Sequence, residues 1–402
     1  MIRQTYWILN GKLGSKLKVS KGMLEAHISY TPLLTMITIR LAYYTQTYDS
    51  QLSMSFHVPP LIRSDETSLD LPASTILWRA KSASAWRDIH LAQKANTTSK
   101  SHVLSASVHS AHEMLEAQES IDLAFSVDIA LSHFWKVIWD ARQLHAATKQ
   151  QKDQPATISL LSGHWQHEMS QTLRNFRMIV GEAQVLSPAT SMLHEHLLLN
   201  VYVSFEELSL FAGKEGHQDA RRVFPSLKQW AESRDSRQAL WHAGQVLREA
   251  TTFAPTTLQD FYAISLYHAG LTLWAYGLLT KGLHRVPKQT NTNPTQTRRE
   301  STYEGNEVVF LDGMETAETQ KFIALNRAMP AVRRRHMSPT GQDGDDKVFL
   351  DDPKAVMETV ISVLQENHGV DCGWAVPPLV ENLVGLMRDL GRVASKVMRK
   401  YQ

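Results

Sequence analysis

Two histidines stand in near-identical surroundings in the middle of the chain. His242 occurs in the run LWHAG and His268 in the run LYHAG, each inside an apolar helical pattern. An imidazole can bind a metal, move a proton or lie hydrogen-bonded in a core. The small residues beside each histidine would let another helix approach closely, so we interpret both as neutral core residues of two packed helices. The alternative is a pocket near His242 and His268, in a helical enzyme or small-molecule-binding protein.

Two further histidine groups invite comparison with metal sites. His164 and His167 are followed by Glu168, and Glu195 is flanked by His194 and His196. Helical metal sites use ligands three or four residues apart, and the metalloprotease pattern places the second histidine four residues after the first. Neither group fits that pattern, and side chains two positions apart on a helix point about 200° apart. We therefore predict no metal site here.

Other catalytic constellations are weak in this sequence. Cys372 is the single cysteine, so a disulfide framework or a cysteine-based zinc finger within these residues is excluded. We interpret it as a structural thiol, and the pairs Asp345-Asp346 and Asp351-Asp352 as solvated loop acids. GKLGSK has the wrong spacing for a phosphate-binding P-loop, and no Gly-x-Ser-x-Gly elbow occurs. The prediction is a protein that is not an enzyme, with no catalytic residue and no cofactor.

Composition and charge are those of an ordinary globular protein. Of the 402 residues, 43% are hydrophobic and 20% charged, with a formal net charge of +2. Such a weak charge does not point to nucleic acid, a membrane surface or an acidic substrate as partner. The first residues lack the pattern of a secretory signal, and the single cysteine is compatible with a reducing compartment.

Apolar periodicity predicts a mainly α protein. The clearest helical segments are 120–148, 163–186, 191–212, 236–255, which Pro255 limits, and 261–280. The stretch 261–280 has no charged residue and is long enough to cross a bilayer. Because it contains Ser265, His268 and Gly270, we interpret it as a buried core helix, with a membrane span as the alternative.

Two polar stretches interrupt the helical pattern. Residues 284–306 are typical of a solvated linker. Residues 333–347 run from basic to acidic and are predicted to form a charged surface loop, with nuclear import through Arg333–Arg335 or phosphorylation at Ser338 as alternatives. Short strands are predicted at 308–310 and 347–350.

The last helix is predicted to begin after Pro377-Pro378. Its apolar residues alternate at spacings of four and three, which is the seam of a coiled coil. Packing of this seam within the same chain is the favoured interpretation, and a homodimer through 379–397 is the alternative. The residues of the seam are Leu379, Leu383, Leu386, Leu390, Val393 and Val397.

Several stretches, in order along the chain, resemble one family. Residues 40–88 resemble the later part of the fungal-specific transcription factor domain, or middle homology region. In that family a helix bearing an aspartate leads to a Pro-Pro turn, then an acidic position, a Leu-Pro pair and an L-W-x-A…W signature. The matching residues are Asp49, Pro59-Pro60, Glu66, Leu71-Pro72, Leu77-Trp78, Ala80 and Trp86. Further similarity lies in 207–247, 260–278, 311–325 and 377–391.

The resemblance implies the C-terminal regulatory half of a filamentous-fungal zinc-finger transcription factor. Its expected fold is a mainly α, orthogonally packed multi-helix regulatory domain with long polar loops. We expect a divergent segment at 1–35, the helical domain at 36–283, a linker at 284–306 and a C-terminal extension at 307–402. The family reads DNA through an N-terminal zinc module that has no counterpart in these residues, so zinc and direct DNA binding are expected of the family only.

The expected partners follow from the same resemblance. They are the transcription machinery or another transcription factor, met in the nucleus, with no membrane attachment. The regulation would act on transcription by RNA polymerase II and needs no catalytic residue. Tryptophans at 135, 139, 230, 241 and 274 would line a groove or, more simply, fill the core.

Overall fold

The computed structural model describes residues 21–63, 69–96, 108–149, 156–281, 307–336, 344–369 and 375–400. Within these residues it contains 14 helices and one small three-stranded sheet, and 73% of the structure is helical. The prediction of a mainly α protein is confirmed. The chain divides into two compact units, Met1–Thr190 and Ser191–Gln402. The predicted domain boundaries at residues 35 and 283 stay predictions.

The first unit is built on two long helices, α1 and α5, that pack against each other. Between them, short helices and extended segments join through an isolated bridge from Ala73 to Ile121. The buried indole of Trp135 on α5 donates to Ser53 Oγ on α1, 2.8 Å away. The helices of this unit are α1 Lys21–Phe56, α2 Thr75–Trp78, α3 Ala83–Asn96, α4 Val108–Glu116, α5 Leu123–Lys149 and α6 Ala156–Gly181.

The second unit is a cluster of helices around one central helix. The predicted helical segment 191–212 is two helices, because the chain turns at Val203-Ser204 and Ser204 caps the second by accepting the N–H of Glu207. Pro225 lies inside α9 without ending it. The helices here are α7 Pro188–Tyr202, which begins just before the unit, α8 Phe205–Phe211, α9 His217–Glu232, α10 Arg234–Ala250, α11 Asp260–Lys281, α12 Ala317–Leu325, α13 Pro353–Asn367 and α14 Pro378–Lys400.

The central helix is α11, which contains the uncharged stretch 261–280. It packs against α8, α9, α10, α13 and α14, and its side chains are buried almost all the way round. Trp274 is 2% exposed and its indole donates to the carbonyl of Leu390, 3.2 Å away. The absence of charge is thus explained by protein neighbours, as predicted for a core helix. Among the described helices none is long and apolar enough to cross a membrane.

The sheet corrects the prediction of a loop at 333–347. Strand β1 (Val308–Phe310) was predicted, but β2 (Met329–His336) and β3 (Gly344–Phe349) extend into the charged stretch from both sides. β2 pairs with β1 in parallel and with β3 antiparallel. The register places Arg334 opposite Asp346, and opposite charges across a strand pair stabilise the ladder. Ser338 lies outside the described residues, as does the predicted linker 284–306.

The glycines of the two HAG runs are sites of close approach. A Cβ on Gly270 would lie 3.2 Å from both Cγ atoms of Val360 on α13, so a helix does approach there, as predicted. A Cβ on Gly244 would lie 2.3 Å from the carbonyl oxygen of Leu311, which belongs to the segment after β1. The close neighbour of Gly244 is therefore this backbone segment.

The last helix, α14, divides its predicted seam between core and solvent. Leu383 and Leu390 are buried, and α14 packs on α11 and α13. Leu386 and Val393 remain 44% and 50% exposed. Packing within the same chain therefore uses Leu383 and Leu390 of the seam, together with Val380, Val384, Met387 and Ala394.

Candidate functional site

A buried carboxylate lies at the centre of the histidine-rich region of the second unit. Glu195 on α7 is 5% exposed, and its Oε2 lies 2.7 Å from Nδ1 of His242 on α10. Its Oε1 lies 3.5 Å from Nδ1 of the adjacent His194. The phenol ring of Tyr202 lies parallel to the His242 ring at 5.9 Å. One acid thus binds two imidazoles inside the core.

These imidazoles decide the ionisation of Glu195. Burial by itself would raise the pKa of its carboxyl, because a desolvated charge is costly. Hydrogen bonds from His194 and His242, together with the charges of the same rings, lower the pKa well below its usual range. Glu195 is therefore a carboxylate at neutral pH, and Nδ1 of His242 carries the proton that it donates.

The second predicted histidine belongs to a separate pair. Nδ1 of His268 lies 3.1 Å from Nε2 of His196, and both rings are buried. The ring of Phe205 stacks on His268 at 4.4 Å, and Phe261 meets His196 edge-on at 5.3 Å. A hydrogen bond between two imidazoles needs one donor and one acceptor, so two neutral rings satisfy it.

His242 and His268 therefore lie on packed helices but serve different partners, a carboxylate and another imidazole. His194 and His196, which point away from each other on α7, also divide between the two groups. Among the described residues no group of three or more histidine, cysteine, aspartate or glutamate side chains is placed to hold a metal ion. In this arrangement the buried carboxylate and imidazoles of the core interact with one another. The neutral state predicted for His242 stays a prediction.

The other sequence candidates lie apart from this cluster. His164 and Glu168 are an exposed pair 3.9 Å apart on α6, and His167 is exposed on the same helix. Asp352 caps α13 by accepting the N–H of Ala355 at 3.1 Å. Cys372 lies outside the described residues, and Asp345 and Asp346 lie on β3.

The residues that resemble the fungal domain form a structural corner of the first unit. Both carboxylate oxygens of Asp49 accept backbone N–H groups, from Leu61 and Ile62, at 3.0 Å each. These two residues directly follow Pro59-Pro60, where the chain leaves α1. The aspartate therefore fixes the turn, which is a physical reason for an aspartate on the helix before a Pro-Pro turn.

A buried arginine, Arg40, links α1 to other residues of this corner. Arg40 on α1 makes an ion pair with Asp122 and lies 4.7 Å from the ring centroid of Trp78. Leu71 and Leu77 are buried, whereas Trp78 is 45% exposed. The phenol of Tyr43 donates to the carbonyl of Leu69 at 2.6 Å, and burial raises the pKa of Tyr43 to about 12. Glu66 lies outside the described residues.

Two cavities lie elsewhere in the second unit. One, of about 60 Å³, is lined by polar groups that include Arg248, Asp312 and Arg333. The other is an open groove of about 490 Å³ between α13 and α14, floored by Met357, Ile361 and Met387. No member of the histidine cluster lines either cavity.

Several key residues escaped the sequence reasoning. Arg40 and Asp122 are 82 positions apart, and nothing local in the sequence pairs them. Glu195 carried a usable signal, because it is the single charged residue in the apolar run 188–203. A lone acid between two histidines in such a run predicts a buried, partnered carboxylate. Of the predicted core tryptophans, four are buried; Trp230 is half-buried and donates to the carbonyl of Tyr202 at 2.9 Å.

Comparison with known proteins gives one curated relative. The chain is 23% identical over 261 residues to transcription factor 1 of Elsinoe fawcettii. The match covers 60% of this chain but 27% of that protein, so the chain spans about a quarter of the relative's length. No family model matches the chain, and no solved structure matches it. The chain is thus distantly similar to a fungal transcription factor.

Proposed function

We propose that this chain is the regulatory region of a fungal transcription factor. The observation that carries the proposal is the similarity to transcription factor 1 of Elsinoe fawcettii over 60% of the chain. The mainly α fold agrees with the resemblance in residues 40–88. In the same stretch, Asp49 and the Pro-Pro turn form one hydrogen-bonded corner.

The protein acts without catalysis. The buried histidines described above bind other side chains of the core, His194 and His242 with Glu195 and His196 with His268. A scaffold of this kind regulates by offering surfaces or by changing its packing, and neither needs a reacting group. The alternative of a ligand pocket near His242 and His268 gains no support from the two cavities, since neither is lined by these residues.

Its place of action would be the nucleus, and its partners the transcription machinery or another transcription factor. This chain does not bind DNA directly, because its net charge of +2 is too small to attract the phosphate backbone strongly. A homodimer through 379–397 would offer the exposed seam residues Leu386 and Val393 to a partner.

Localisation and transcript levels test this proposal together. A tagged chain is expected in the nucleus under at least one growth condition, and deletion of the gene is expected to change a defined set of transcripts. Re-expression of the wild-type chain should restore those levels. A protein that stays outside the nucleus under every condition, or a deletion that leaves the transcriptome unchanged, would contradict the proposal.

A further inference from the structure

Helix α1 turns apolar side chains to solvent. Seven of its residues are between 38% and 64% exposed and lie on one face; we call them the α1 stripe. They are Leu34, Ile37, Leu41, Tyr44, Tyr48, Leu52 and Phe56. Single exposed apolar residues are common on protein surfaces, but a contiguous apolar patch marks an interaction site.

The opposite face of α1, which lies against the rest of the unit, is rich in polar residues. It contacts α5 and buries Met36, Ala42, Tyr43 and Met54. The same face also buries five polar residues, which are Arg40, Gln46, Thr47, Ser50 and Ser53. A helix that served only its own unit would place its apolar residues inward and its polar residues outward. The unit covers the polar face with α5. Tyr44 of the stripe also stacks on Phe125 of α5 at 4.4 Å, but the stripe as a whole stays exposed.

Spacing and charge indicate which partner covers the stripe. Leu34, Ile37, Leu41, Tyr44 and Tyr48 are separated by three, four, three and four residues, the spacing with which a helix packs along a second, similar helix. Between residues 34 and 56 the only charged residues are Arg40 and Asp49. Arg40 is paired with Asp122, and Asp49 accepts two backbone N–H groups. No charge on this stretch would select a charged partner or repel an identical stripe.

The size of the stripe suits a stable dimer. It spans about 33 Å along the helix. From the exposed fractions, the seven side chains present roughly 700 Å² of surface per copy. Two copies would together bury roughly 1,400 Å², inside the range of about 1,200–2,000 Å² that specific interfaces show. A two-fold arrangement that apposes identical patches is also the commonest form of oligomer.

We infer that the α1 stripe is a homodimer interface, in which two copies of this chain pack α1 against α1. The inference stands apart from the proposed function, because it rests on the surface of α1 alone. It places dimerisation in the first unit, away from the predicted seam of α14.

Hydrodynamic mass of the full chain tests this inference. Sedimentation velocity across a concentration series is expected to show a dimer for the wild type and a monomer for the double variant Leu41→Glu/Tyr48→Glu. The matched control is Leu386→Glu/Val393→Glu, which charges two comparably exposed apolar positions on α14 and is expected to remain a dimer. Far-UV circular dichroism should be unchanged in both variants, since all four side chains are exposed.

Cross-linking provides a readout that does not depend on loss of function. In a Cys372→Ser background the double variant Leu41→Cys/Tyr48→Cys should form an intermolecular disulfide on mild oxidation, in a parallel or an antiparallel pair. Moving the thiols to Leu386 and Val393 should give none. A wild-type monomer at every concentration, a dimer that survives the α1 charges, or cross-linking through α14 alone would overturn the inference.

Discussion

Glu195 in the second unit and Asp128 in the first are both carboxyls with little access to water, and their pKa values are shifted in opposite directions. Glu195 in the second unit meets two imidazoles, which hold its pKa well below the usual range. Asp128 on α5 of the first unit is partly buried and accepts a hydrogen bond from Thr190 Oγ1 at 2.9 Å. Desolvation raises the pKa of Asp128 to about 6, the Thr190 hydrogen bond opposes this, and the nearby Asp122 adds to it.

The difference shows what neighbouring imidazoles contribute to an ionised carboxylate inside a fold. A hydroxyl donor alone does not compensate Asp128 for lost hydration, whereas two imidazoles more than compensate Glu195. The Glu195 cluster therefore stabilises its unit at neutral pH, while ionised Asp128 destabilises its own unit. Four predictions test this contrast, and they are given from the largest expected change in stability to the smallest.

Removal of the Glu195 side chain should be the most damaging change. Glu195→Ala leaves the imidazoles of His194 and His242 without their acceptor, and breaking a buried pair from one side costs about 3–5 kcal/mol. Urea unfolding measures this loss, and hydrogen exchange should place it in α7 and α10. Glu195→Gln, which keeps the shape and one acceptor oxygen, should lose less. A loss below about 1 kcal/mol for the alanine variant would show that the cluster is not structural.

The matching change in the first unit should have the opposite sign. Asp128→Asn removes the charge but keeps an oxygen that can accept from Thr190. Because the raised pKa measures the cost of ionising Asp128, this variant should be more stable at pH 7 by about 1–3 kcal/mol. The gain should appear as slower hydrogen exchange in α5. Destabilisation would mean that another group stabilises the Asp128 charge.

Mild acid should change the contributions of Asp128 and Glu195 to stability differently, without any substitution. The folded pKa of Asp128 lies above its unfolded value, so the native state takes up the proton first and the contribution of Asp128 to stability rises as pH falls, while the lowered pKa of His133 on the same helix acts in the opposite direction. The gain between pH 7 and pH 5 should be about 1 kcal/mol. Glu195 has a lowered folded pKa, so its contribution is present above the unfolded pKa of about 4.3 and is lost only below it.

The control for this pH effect is Asp128→Asn. Exchange rates of α5, corrected for intrinsic chemistry at each pH, should no longer gain protection between pH 7 and pH 5. An unchanged pH response in this variant would assign the effect to another group.

The smallest effect is expected at the neutral histidine pair. His268→Gln exchanges one hydrogen-bonding side chain for another beside His196, so the cost should be about 1 kcal/mol. His242→Gln should cost more, because it removes a charge-assisted bond to Glu195. Urea midpoints of the two variants, measured side by side, give the order directly. Equal costs would indicate that the bond of His242 to Glu195 is no stronger than the bond between the imidazoles of His268 and His196.

The predictions from sequence succeeded where the signal was local. The start of α14 at the Pro377-Pro378 pair and the uncharged stretch of α11 each have a local cause that the sequence displays. Failures came from distant pairing. Arg333–Arg335 were predicted to lie in a solvated loop, but they belong to β2 and pair with β3. The arginines alone do not show this, because the register between two strands depends on both.

The candidate site shows the same limit. Both HAG histidines were recognised as core residues of packed helices, but their partners, Glu195 and His196, lie 47 and 72 positions away. Periodicity gives the face of a helix, not the residue that the face meets. The buried polar face of α1 was also missed, since Arg40 is buried beside Asp122, which lies 82 positions away in the sequence.

Tethering the chain to a reporter gene tests the central claim, a non-catalytic scaffold that regulates transcription, most directly. The 402-residue chain would be fused to a heterologous DNA-binding domain in a fungal host, with that domain alone and a Glu195→Ala fusion as controls. The account predicts that the wild-type fusion changes reporter transcription in either direction, that His268→Gln behaves like wild type, and that Glu195→Ala, which destabilises the second unit, reduces the effect. A stable, nuclear wild-type fusion that leaves the reporter unchanged would contradict the account.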